Sequence, residues 1–219
     1  MHQTTLFDLS DTPAADKYER IGADACVLRG FALQHASALL AAITHIKTQT
    51  PFRHMTTPGG FTMSIALINC GELGWVSDQH GYRYSKTNPV NGQPWPLMPS
   101  HFSQLAHAAA ATAGFANFKP DACLINRYLP GSRLSLHQDK NERDFSAPIV
   151  SVSLGMAAIF LFGGHERTDK TTKVPLYHGD VAVWGGKDRL RYHGVQPIKG
   201  DPHPLLGNQR INFTFRKAG

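Results

Sequence analysis

The stretch ACLINRYLPGSRLSLHQDK, residues 122–140, opens the part of the chain that decides the fold. It predicts two short strands, ACLINRYL and RLSLHQ, separated by a turn. Six further candidate strands follow toward the C-terminus: IVSVSLG, AIFLFGG, KVPLYH, DVAVWGG, YHGVQPI and RINFTFRK. Eight short strands separated by turns that contain Gly, Pro and Asp indicate a jelly roll or a β-barrel.

The first half of the chain has a different pattern. Residues 36–47, ASALLAAITHIK, repeat apolar side chains at helical spacing and predict an amphipathic helix. A second helix is predicted for residues 100–113, which are rich in alanine and precede Gly114, a residue suited to a C-terminal cap. Between the helices, Pro58-Gly59-Gly60 and short apolar runs are typical of hairpins with mobile loops. The sequence therefore predicts an α+β protein that is mainly β.

The size and charge of the chain narrow the classes of protein further. A length of 219 residues and a mass of 24.0 kDa suit one domain. Residues 1–20 are polar and are predicted to be a loosely ordered lead-in, which leaves residues 21–219 for the domain. The net charge of +6 and the pI of about 9.3 favour polyanionic partners, nucleic acid first. No feature requires a protein partner, so we expect a monomer.

Three features bear on the cellular compartment. The N-terminus lacks the basic start and apolar run of a signal peptide. The longest apolar stretches are too short to span a membrane. Cys26, Cys70 and Cys123 are widely spaced among apolar residues, a pattern that predicts buried free thiols in a reducing compartment. We therefore expect a soluble, cytoplasmic protein without a membrane partner.

A candidate metal site lies at the end of the second predicted strand. In an extended segment, residues two apart project to the same side, so His137 and Asp139 can offer an imidazole and a carboxylate to one ion. His193, on a later strand, is a candidate third ligand. Two histidines and one carboxylate that leave open positions form the facial triad of non-haem Fe(II) oxygenases. Zinc fits less well, because structural zinc prefers closed tetrahedral sites, usually with cysteine.

The spacing alone leaves an alternative open. His178-Gly179-Asp180 is a second H-x-D, and a motif this short arises by chance. HGDVAVW resembles a turn that leads into a buried strand, with Gly179-Asp180 forming the turn. Sequence patterns do not exclude either pair as the ligand pair.

The C-terminal segment RINFTFR gives an independent indication of a binding site. Its odd-numbered residues are apolar, while Arg210, Asn212, Thr214 and Arg216 alternate with them. In a strand the two arginine Cα atoms stand roughly 20 Å apart, which leaves between the side chains a gap near the length of a five-carbon dicarboxylate. Guanidinium groups bind carboxylates bidentately. The alternative interpretation is a solvated edge strand.

Several longer stretches together carry a family resemblance: DACLINRYLPGSRLSLHQDKNE, PIVSVSLG, FGG, HGDVAVWGG, YHGVQP and RINFTFR. In their order and spacing they closely resemble the AlkB-type alkylation-repair dioxygenases. Upstream, TPFRHMTTPGGFTMS and CGELGWVSDQHGYRYS resemble that family's nucleotide-recognition lid, here residues 51–98 with the connector. The resemblance runs from about residue 21 to the end and implies a double-stranded β-helix (jelly roll) with N-terminal helices and a β-hairpin lid.

The resemblance also implies roles for individual residues. His137, Asp139 and His193 become the iron ligands, and His178-Gly179-Asp180 becomes a turn. The implied 2-oxoglutarate site is made by Asn126, Tyr128, Leu134, Arg210, Asn212 and Arg216. The implied substrate contacts are made by Trp75, Tyr82, Lys140, Asn141 and Arg167. Without the resemblance, ordinary strand packing explains Asn126 and Tyr128. The resemblance implies no catalytic side chain beyond the iron centre.

The activity that the resemblance implies is oxidative demethylation of 1-methyladenine and 3-methylcytosine, with release of formaldehyde. Fe(II) is the implied metal, and 2-oxoglutarate and O₂ are the implied cosubstrates. The expected substrate is alkylated single- or double-stranded DNA, with RNA as a further candidate. Asn141 departs from the better-known bacterial pattern, which has an acidic residue at this position. The alternatives are the same oxygenase chemistry on a protein or small molecule, and a nucleic-acid-binding module that has lost its metal.

Overall fold

The computed structural model describes residues 17–219, and the strands and helices of this part of the chain are as follows. They are β1 (Tyr18–Arg20), β2 (Ala25–Leu28), α1 (Ala36–Gln49), β3 (Arg53–Thr56), β4 (Thr62–Gly71), β5 (Gly74–Asp78), β6 (Gly81–Ser85), α2 (Ser100–Thr112), β7 (Ala122–Tyr128), β8 (Leu134–His137), β9 (Ile149–Gly155), β10 (Ala158–Phe162), β11 (Thr172–Leu176), β12 (Val181–Trp184), β13 (His193–Val195) and β14 (Arg210–Arg216). All eight strands predicted after residue 121 form, as do both predicted helices.

Two antiparallel sheets face each other. The larger has the strand order β1-β2-β12-β9-β14-β7-β4-β3, and the smaller has the order β11-β10-β13-β8. The eight strands of the C-terminal half divide equally between them, and an apolar cluster with residues from both sheets, including Phe160 and Trp184, fills part of the space between. Face-to-face sheets of this kind form a jelly roll. The predicted fold class is confirmed.

Strand β14 lies in the middle of the larger sheet and not at its edge. It pairs with β9 on one side and with β7 on the other, and all seven of its residues are buried. Because side chains alternate across a strand, Phe213 and Phe215 face one side while Arg210 and Arg216 face the other. The solvated edge strand considered for this segment is therefore ruled out.

The two helices cover the outer face of the larger sheet. Helix α1 buries Leu39, Ile43 and Ile46, and helix α2 buries Phe102 and Leu105. These side chains form one apolar cluster with residues of the larger sheet. The ring of Phe102 meets Phe213 and Phe215 edge-on, with centroids 5.2 and 6.2 Å apart. The polar face of β14 is thus directed away from the helices and toward the space between the sheets.

The predicted lid region, residues 51–98, divides into two parts. Strand β4 pairs with β7, so the β3–β4 hairpin extends the larger sheet. Seven of the ten residues of β4, from Ile65 to Gly71, are buried. Strands β5 and β6 form a separate two-stranded sheet. The β5–β6 hairpin, residues 74–85, is called the lid hairpin below.

Three further expectations from the sequence concern the N-terminal residues, the cysteines and membrane-spanning helices. Residues 1–16 of the predicted lead-in lie outside the described residues, and Tyr18–Arg20 at its end form β1. All three cysteines are buried and unpaired, as predicted. Across residues 17–219, the helices are all too short or too polar to traverse a lipid bilayer.

Candidate metal and cosubstrate site

The three predicted metal ligands come together between the sheets. His137 ends β8, Asp139 follows it by two residues, and His193 begins β13, the neighbouring strand, directly opposite His137. The ligand atoms of the three side chains all lie within 4.8 Å of one another. A metal ion can therefore be bound by two imidazole nitrogens and one carboxylate oxygen on one side, which leaves its other side open.

Both imidazole rings are fixed in the orientation that a metal requires. Nδ1 of His137 lies 2.9 Å from the carbonyl oxygen of Ser135, and Nδ1 of His193 lies 3.0 Å from that of Arg191. Because a carbonyl only accepts hydrogen bonds, each Nδ1 is the donor and each Nε2 keeps a free lone pair. Burial and the neighbouring His193 lower the pKa of His137 to about 4, so this ring is neutral near pH 7.

Asp139 is held by a buried arginine. Nε and Nη2 of Arg216 donate to Oδ2 of Asp139 at 3.0 and 2.7 Å, while Oδ1 lies 3.6 Å from Nε2 of His137. Burial by itself raises the pKa of Asp139, but the Arg216 guanidinium and the two imidazoles outweigh burial and hold the pKa well below its usual range. The carboxylate is therefore ionised and can bind a cation at neutral pH.

The second H-x-D has a different environment. Oδ1 of Asp180 accepts from the backbone N–H of Gly30 at 2.9 Å, and Oδ2 accepts from the N–H of Tyr177 at 2.9 Å and from the guanidinium of Arg29. Gly179 has a φ of +88°, as a tight turn requires. Asp180 thus ties the turn before β12 to the segment after β2, and its carboxylate oxygens are already used.

The metal triad lines a cavity of about 790 Å³ between the two sheets. Arg210 reaches it from β14 and is 1% exposed. Its Nη2 donates to Ser153 at 2.9 Å, but within residues 17–219 its Nε and Nη1 have no hydrogen-bond partner. A buried guanidinium with two unused donors is costly unless an anion completes it. The side chain is suited to bind a carboxylate that enters the cavity.

Neutral polar side chains line the wall beside Arg210. Asn212 donates to Oγ of Ser151 at 2.8 Å and to the carbonyl of Val152 at 3.0 Å, and its own oxygen accepts from Asn126 at 3.3 Å. The side-chain oxygen of Asn126 has no partner in the described chain. The predicted cosubstrate residues Asn126, Tyr128, Leu134, Arg210, Asn212 and Arg216 all line the cavity. The arrangement fits a small dicarboxylate that reaches from Arg210 toward the metal.

The two arginines of β14 differ in a way that the sequence did not predict. Arg216 already donates to Asp139 and lies 3.4 Å from Oε1 of Glu142, whereas two donors of Arg210 are unused. Both were predicted to hold the cosubstrate. In the structure Arg210 is the stronger candidate anchor, and Arg216 joins the metal ligand to the cosubstrate wall.

The predicted substrate residues lie at the mouth of the same cavity. The rings of Trp75 and Tyr82 stack with centroids 5.7 Å apart across the lid hairpin. Asn141 accepts from the indole N–H of Trp75 at 3.4 Å. Lys140 and Arg167 are exposed, and both line the opening. The structure thus places all five predicted substrate residues around one entrance.

Sequence reasoning missed further residues at this entrance. Phe61, in the β3–β4 turn, is 77% exposed and borders the cavity, and Arg133 adds a positive charge there. A large aromatic side chain directly after Pro58-Gly59-Gly60 was the available signal for Phe61. Arg133 begins the candidate strand RLSLHQ and in the structure directly precedes β8, and its charge alone gave no signal of a binding role.

This combination of fold and site defines a class of protein. An oxygenase in which O₂ and an organic acid meet at one metal ion needs open coordination positions and an anion pocket beside them. The cavity provides both, so it is the site of a non-haem metal oxygenase. A model of the 2OG-Fe(II) oxygenase superfamily matches residues 24–216, and the chain belongs to this family.

Individual relatives place the chain within the family. It is 55% identical over 201 residues to "Alpha-ketoglutarate-dependent dioxygenase AlkB" of Escherichia coli, an alignment that covers 92% of this chain and 93% of the relative. The Salmonella typhimurium protein of the same name is 54% identical, with 91% and 93% covered. A solved structure titled "The structure of OsALKBH1" superposes with a TM-score of 0.77 at 29% identity, covering 91% of this chain and 99% of that one. The AlkB-type resemblance and the predicted use of Fe(II), 2-oxoglutarate and O₂ are confirmed.

Proposed function

We propose that this protein oxidatively demethylates N-alkylated bases, 1-methyladenine and 3-methylcytosine, in DNA and reverses alkylation damage directly. One observation carries the proposal: a single cavity joins the His137–Asp139–His193 triad to an entrance lined by stacked aromatic rings and basic side chains. The metal triad supports oxidation, and the entrance supports a flat, electron-deficient base attached to an anionic backbone. RNA is a further candidate substrate.

Each group of residues has a separate task. His137, Asp139 and His193 would hold Fe(II), and Arg210 would hold the far carboxylate of 2-oxoglutarate. When bound, Fe(II) with 2-oxoglutarate and O₂ supplies the oxidation of the N-methyl group to a hydroxymethyl group, and 2-oxoglutarate is converted to succinate and CO₂. The hydroxymethyl group then leaves the base as formaldehyde. The apolar cavity wall, with Leu134 and Phe160, keeps water from the reacting centre.

The entrance explains how a base could reach the metal. A methyl group on the pairing edge of a base is inaccessible inside a duplex, so the base must be flipped out or already be single-stranded. The stacked pair of Trp75 and Tyr82 offers a π surface for the extruded base. Lys140, Arg167 and Arg133 stand around the opening, where cationic side chains attract backbone phosphates.

The relatives support nucleic acid over the alternative substrates. A human relative named "Nucleic acid dioxygenase ALKBH1" is 32% identical over 131 residues, covering 60% of this chain and 33% of that one. An oxygenase for small molecules needs no basic and aromatic entrance, and a module without metal needs no preserved triad. The predicted cytoplasmic location, the absence of an obligate protein partner and the monomeric state remain predictions.

The direct test is release of formaldehyde from a short single-stranded oligonucleotide that carries one 1-methyladenine. We expect formaldehyde and unmodified adenine in equal amounts, only when Fe(II), 2-oxoglutarate and O₂ are all supplied. The controls are the unmethylated oligonucleotide and a reaction without 2-oxoglutarate. If iron-loaded protein that binds 2-oxoglutarate leaves the methyl group in place, the proposed function is wrong.

Asn141 should influence which lesions are preferred. Its side chain is exposed at the entrance and contacts Trp75, and an acidic residue there would attract a cationic methylated base. We expect Asn141→Asp to raise kcat/KM for 1-methyladenine by about 2- to 5-fold relative to an uncharged lesion such as 1-methylguanine, because a partly exposed charge contributes up to ~1 kcal/mol. Competition assays on mixed oligonucleotides measure the ratio. Identical lesion profiles for the two proteins would show that Asn141 does not set the preference.

A further inference from the structure

Glu142 is a buried acid close to the metal centre but outside the cavity. Its side chain is 2% exposed, and in the described part of the chain it does not line the main cavity. Its Oε1 accepts from the hydroxyl of Tyr84 at 2.7 Å, and its Oε2 accepts from Nη2 of Arg189 at 3.2 Å. Nε of Arg216 lies 3.4 Å from Oε1. Such a residue acts on its neighbours and not on substrate.

The contacts of Glu142 connect three parts of the fold. Tyr84 belongs to β6 of the lid hairpin, and Arg216 belongs to β14 of the cavity wall. Arg189 follows β12 and also donates to the backbone carbonyl of Asp139 at 2.8 Å. Asp139 and Glu142 supply two negative charges, and Arg189 and Arg216 supply two positive ones. Because the group is balanced and enclosed, moving one member changes the partners available to the others.

The buried side chains around Glu142 reach the lid hairpin through the hydroxyl of Tyr84. Across the hairpin Tyr84 pairs with Trp75, whose ring stacks on Tyr82 at the cavity entrance. When no base holds the hairpin closed, an outward displacement of the hairpin carries away the tyrosine hydroxyl that Glu142 accepts from. When that hydrogen bond is lost, Oε1 of Glu142 keeps Arg216 as its nearest remaining donor.

The same side chains reach the predicted 2-oxoglutarate site through Arg216. Its Nε is shared between Oδ2 of Asp139 at 3.0 Å and Oε1 of Glu142 at 3.4 Å. A carboxylate that has lost its tyrosine donor competes more strongly for that N–H. The side chain of Arg216 would then shift away from Asp139 and from the cavity wall on which the cosubstrate lies.

We propose that Tyr84 and Glu142 are positioning residues that couple the lid hairpin to the 2-oxoglutarate site through Arg216. With the lid hairpin closed on a nucleotide, Tyr84 satisfies Glu142, and Arg216 stays in place for the cosubstrate. The coupling rests on the proposed function, because it requires a nucleic-acid strand at the entrance. It predicts that nucleic acid and 2-oxoglutarate each strengthen the binding of the other by the same factor.

The test is calorimetric titration of 2-oxoglutarate into the full chain with Mn(II) in place of Fe(II) and without O₂, so that no turnover occurs. Each titration is run once without nucleic acid and once with a single-stranded oligonucleotide that carries 1-methyladenine. For the unaltered protein we expect the oligonucleotide to lower the Kd of 2-oxoglutarate by at least about 5-fold, the lower end of usual coupling. For Tyr84→Phe, which removes only the hydroxyl, we expect less than a 2-fold effect and a Kd without oligonucleotide close to that of the unaltered protein.

Two further variants make the test specific. Tyr177→Phe removes a hydroxyl from an exposed tyrosine that does not line the cavity, and it should keep the full coupling. Glu142→Gln keeps an acceptor for Tyr84 but loses the charge that competes with Asp139 for Arg216. Binding of 2-oxoglutarate without oligonucleotide should therefore be no weaker than in the unaltered protein, and the oligonucleotide should change its Kd by less than about 2-fold. Tyr84→Phe is the milder change and decides the result if Glu142→Gln does not fold.

The outcomes separate this proposal from the proposed function. Full coupling in Tyr84→Phe, or no coupling in the unaltered protein while formaldehyde is still formed, would overturn the coupling and leave the demethylase activity standing. If the oligonucleotide does not bind and no formaldehyde is formed, both proposals are wrong.

Discussion

Asp139→Ala is expected to abolish metal binding and turnover. Asp139 is the carboxylate of the triad, and its Oδ1 faces His137 while Arg216 occupies its Oδ2. Loss of a residue that only orients a ligand costs about 10- to 100-fold in metal affinity, so loss of a ligand itself should cost more than ~100-fold. Mn(II) titration measures the affinity, and the formaldehyde assay measures turnover.

Asp180→Ala is the matched control, since it removes the same group from the other H-x-D. Metal affinity should be unchanged, while Arg29 and the backbone N–H groups of Gly30 and Tyr177 lose their acceptor. We expect a loss of about 2–4 kcal/mol of unfolding free energy, because Arg29 is partly exposed and keeps other partners. For a chain of this size that corresponds to a Tm lower by roughly 5–15 °C.

The pair of variants decides between the two motifs. Normal metal affinity in Asp139→Ala, or a loss of metal in folded Asp180→Ala, would mean that the wrong H-x-D has been assigned. Circular dichroism on both proteins shows whether each is folded before metal is added.

Arg210→Met is expected to have the second largest effect, on the affinity for 2-oxoglutarate. Truncating one partner of a buried, hydrogen-bonded charge pair costs about 2–5 kcal/mol, or roughly 30- to 5,000-fold in Kd. In the absence of cosubstrate, the substitution should not lower the free energy of unfolding, because it removes a buried guanidinium with two unused donors. The Tm of the cosubstrate-free variant should therefore be no lower than that of the unaltered protein.

Thermal denaturation in Mn(II), with and without 2-oxoglutarate, measures both effects. A ligand that binds only the folded state raises the Tm, and this rise should disappear in Arg210→Met. Arg127→Met is the control. Arg127 lies on the neighbouring strand β7, stacks on Phe52 and does not line the cavity. An unchanged Tm rise in Arg210→Met would show that Arg210 does not hold the cosubstrate.

Much of the fold could be predicted from sequence because it depends on local patterns. The eight strands after residue 121 are separated by turn residues, and the strand RINFTFR alternates in the way that its two environments require. The strand order could not be predicted, because pairings such as β2 with β12 join segments about 150 residues apart in sequence. For the same reason the pairing of β4 with β7 of the larger sheet was not predicted, and the lid role of residues 51–98 stays a prediction.

The residues of the candidate site could be named from sequence patterns and the family resemblance, but the surroundings of each side chain could not. The H-x-D motif and the alternating arginines are visible in sequence, but their burial and their partners depend on the tertiary fold. Arg210 and Arg216 have unequal surroundings because Asp139 and Glu142, in the loop after β8 of the smaller sheet, contact only Arg216. The hydrogen bonds that join Tyr84, Glu142 and Arg189 correspond to no sequence motif, and the sequence did not predict them.

Strand β14 has a consequence for how the protein can change over time. Phe213 and Phe215 anchor the helices from one face of it, and Arg210 and Arg216 face the cavity from the other. A core substitution that rotates or shifts this strand must also move the guanidinium groups. Substitutions in this strand therefore change the stability of the protein and its selectivity for the cosubstrate at the same time. New substrate preferences are more easily acquired at the entrance, where loops can vary without disturbing the core.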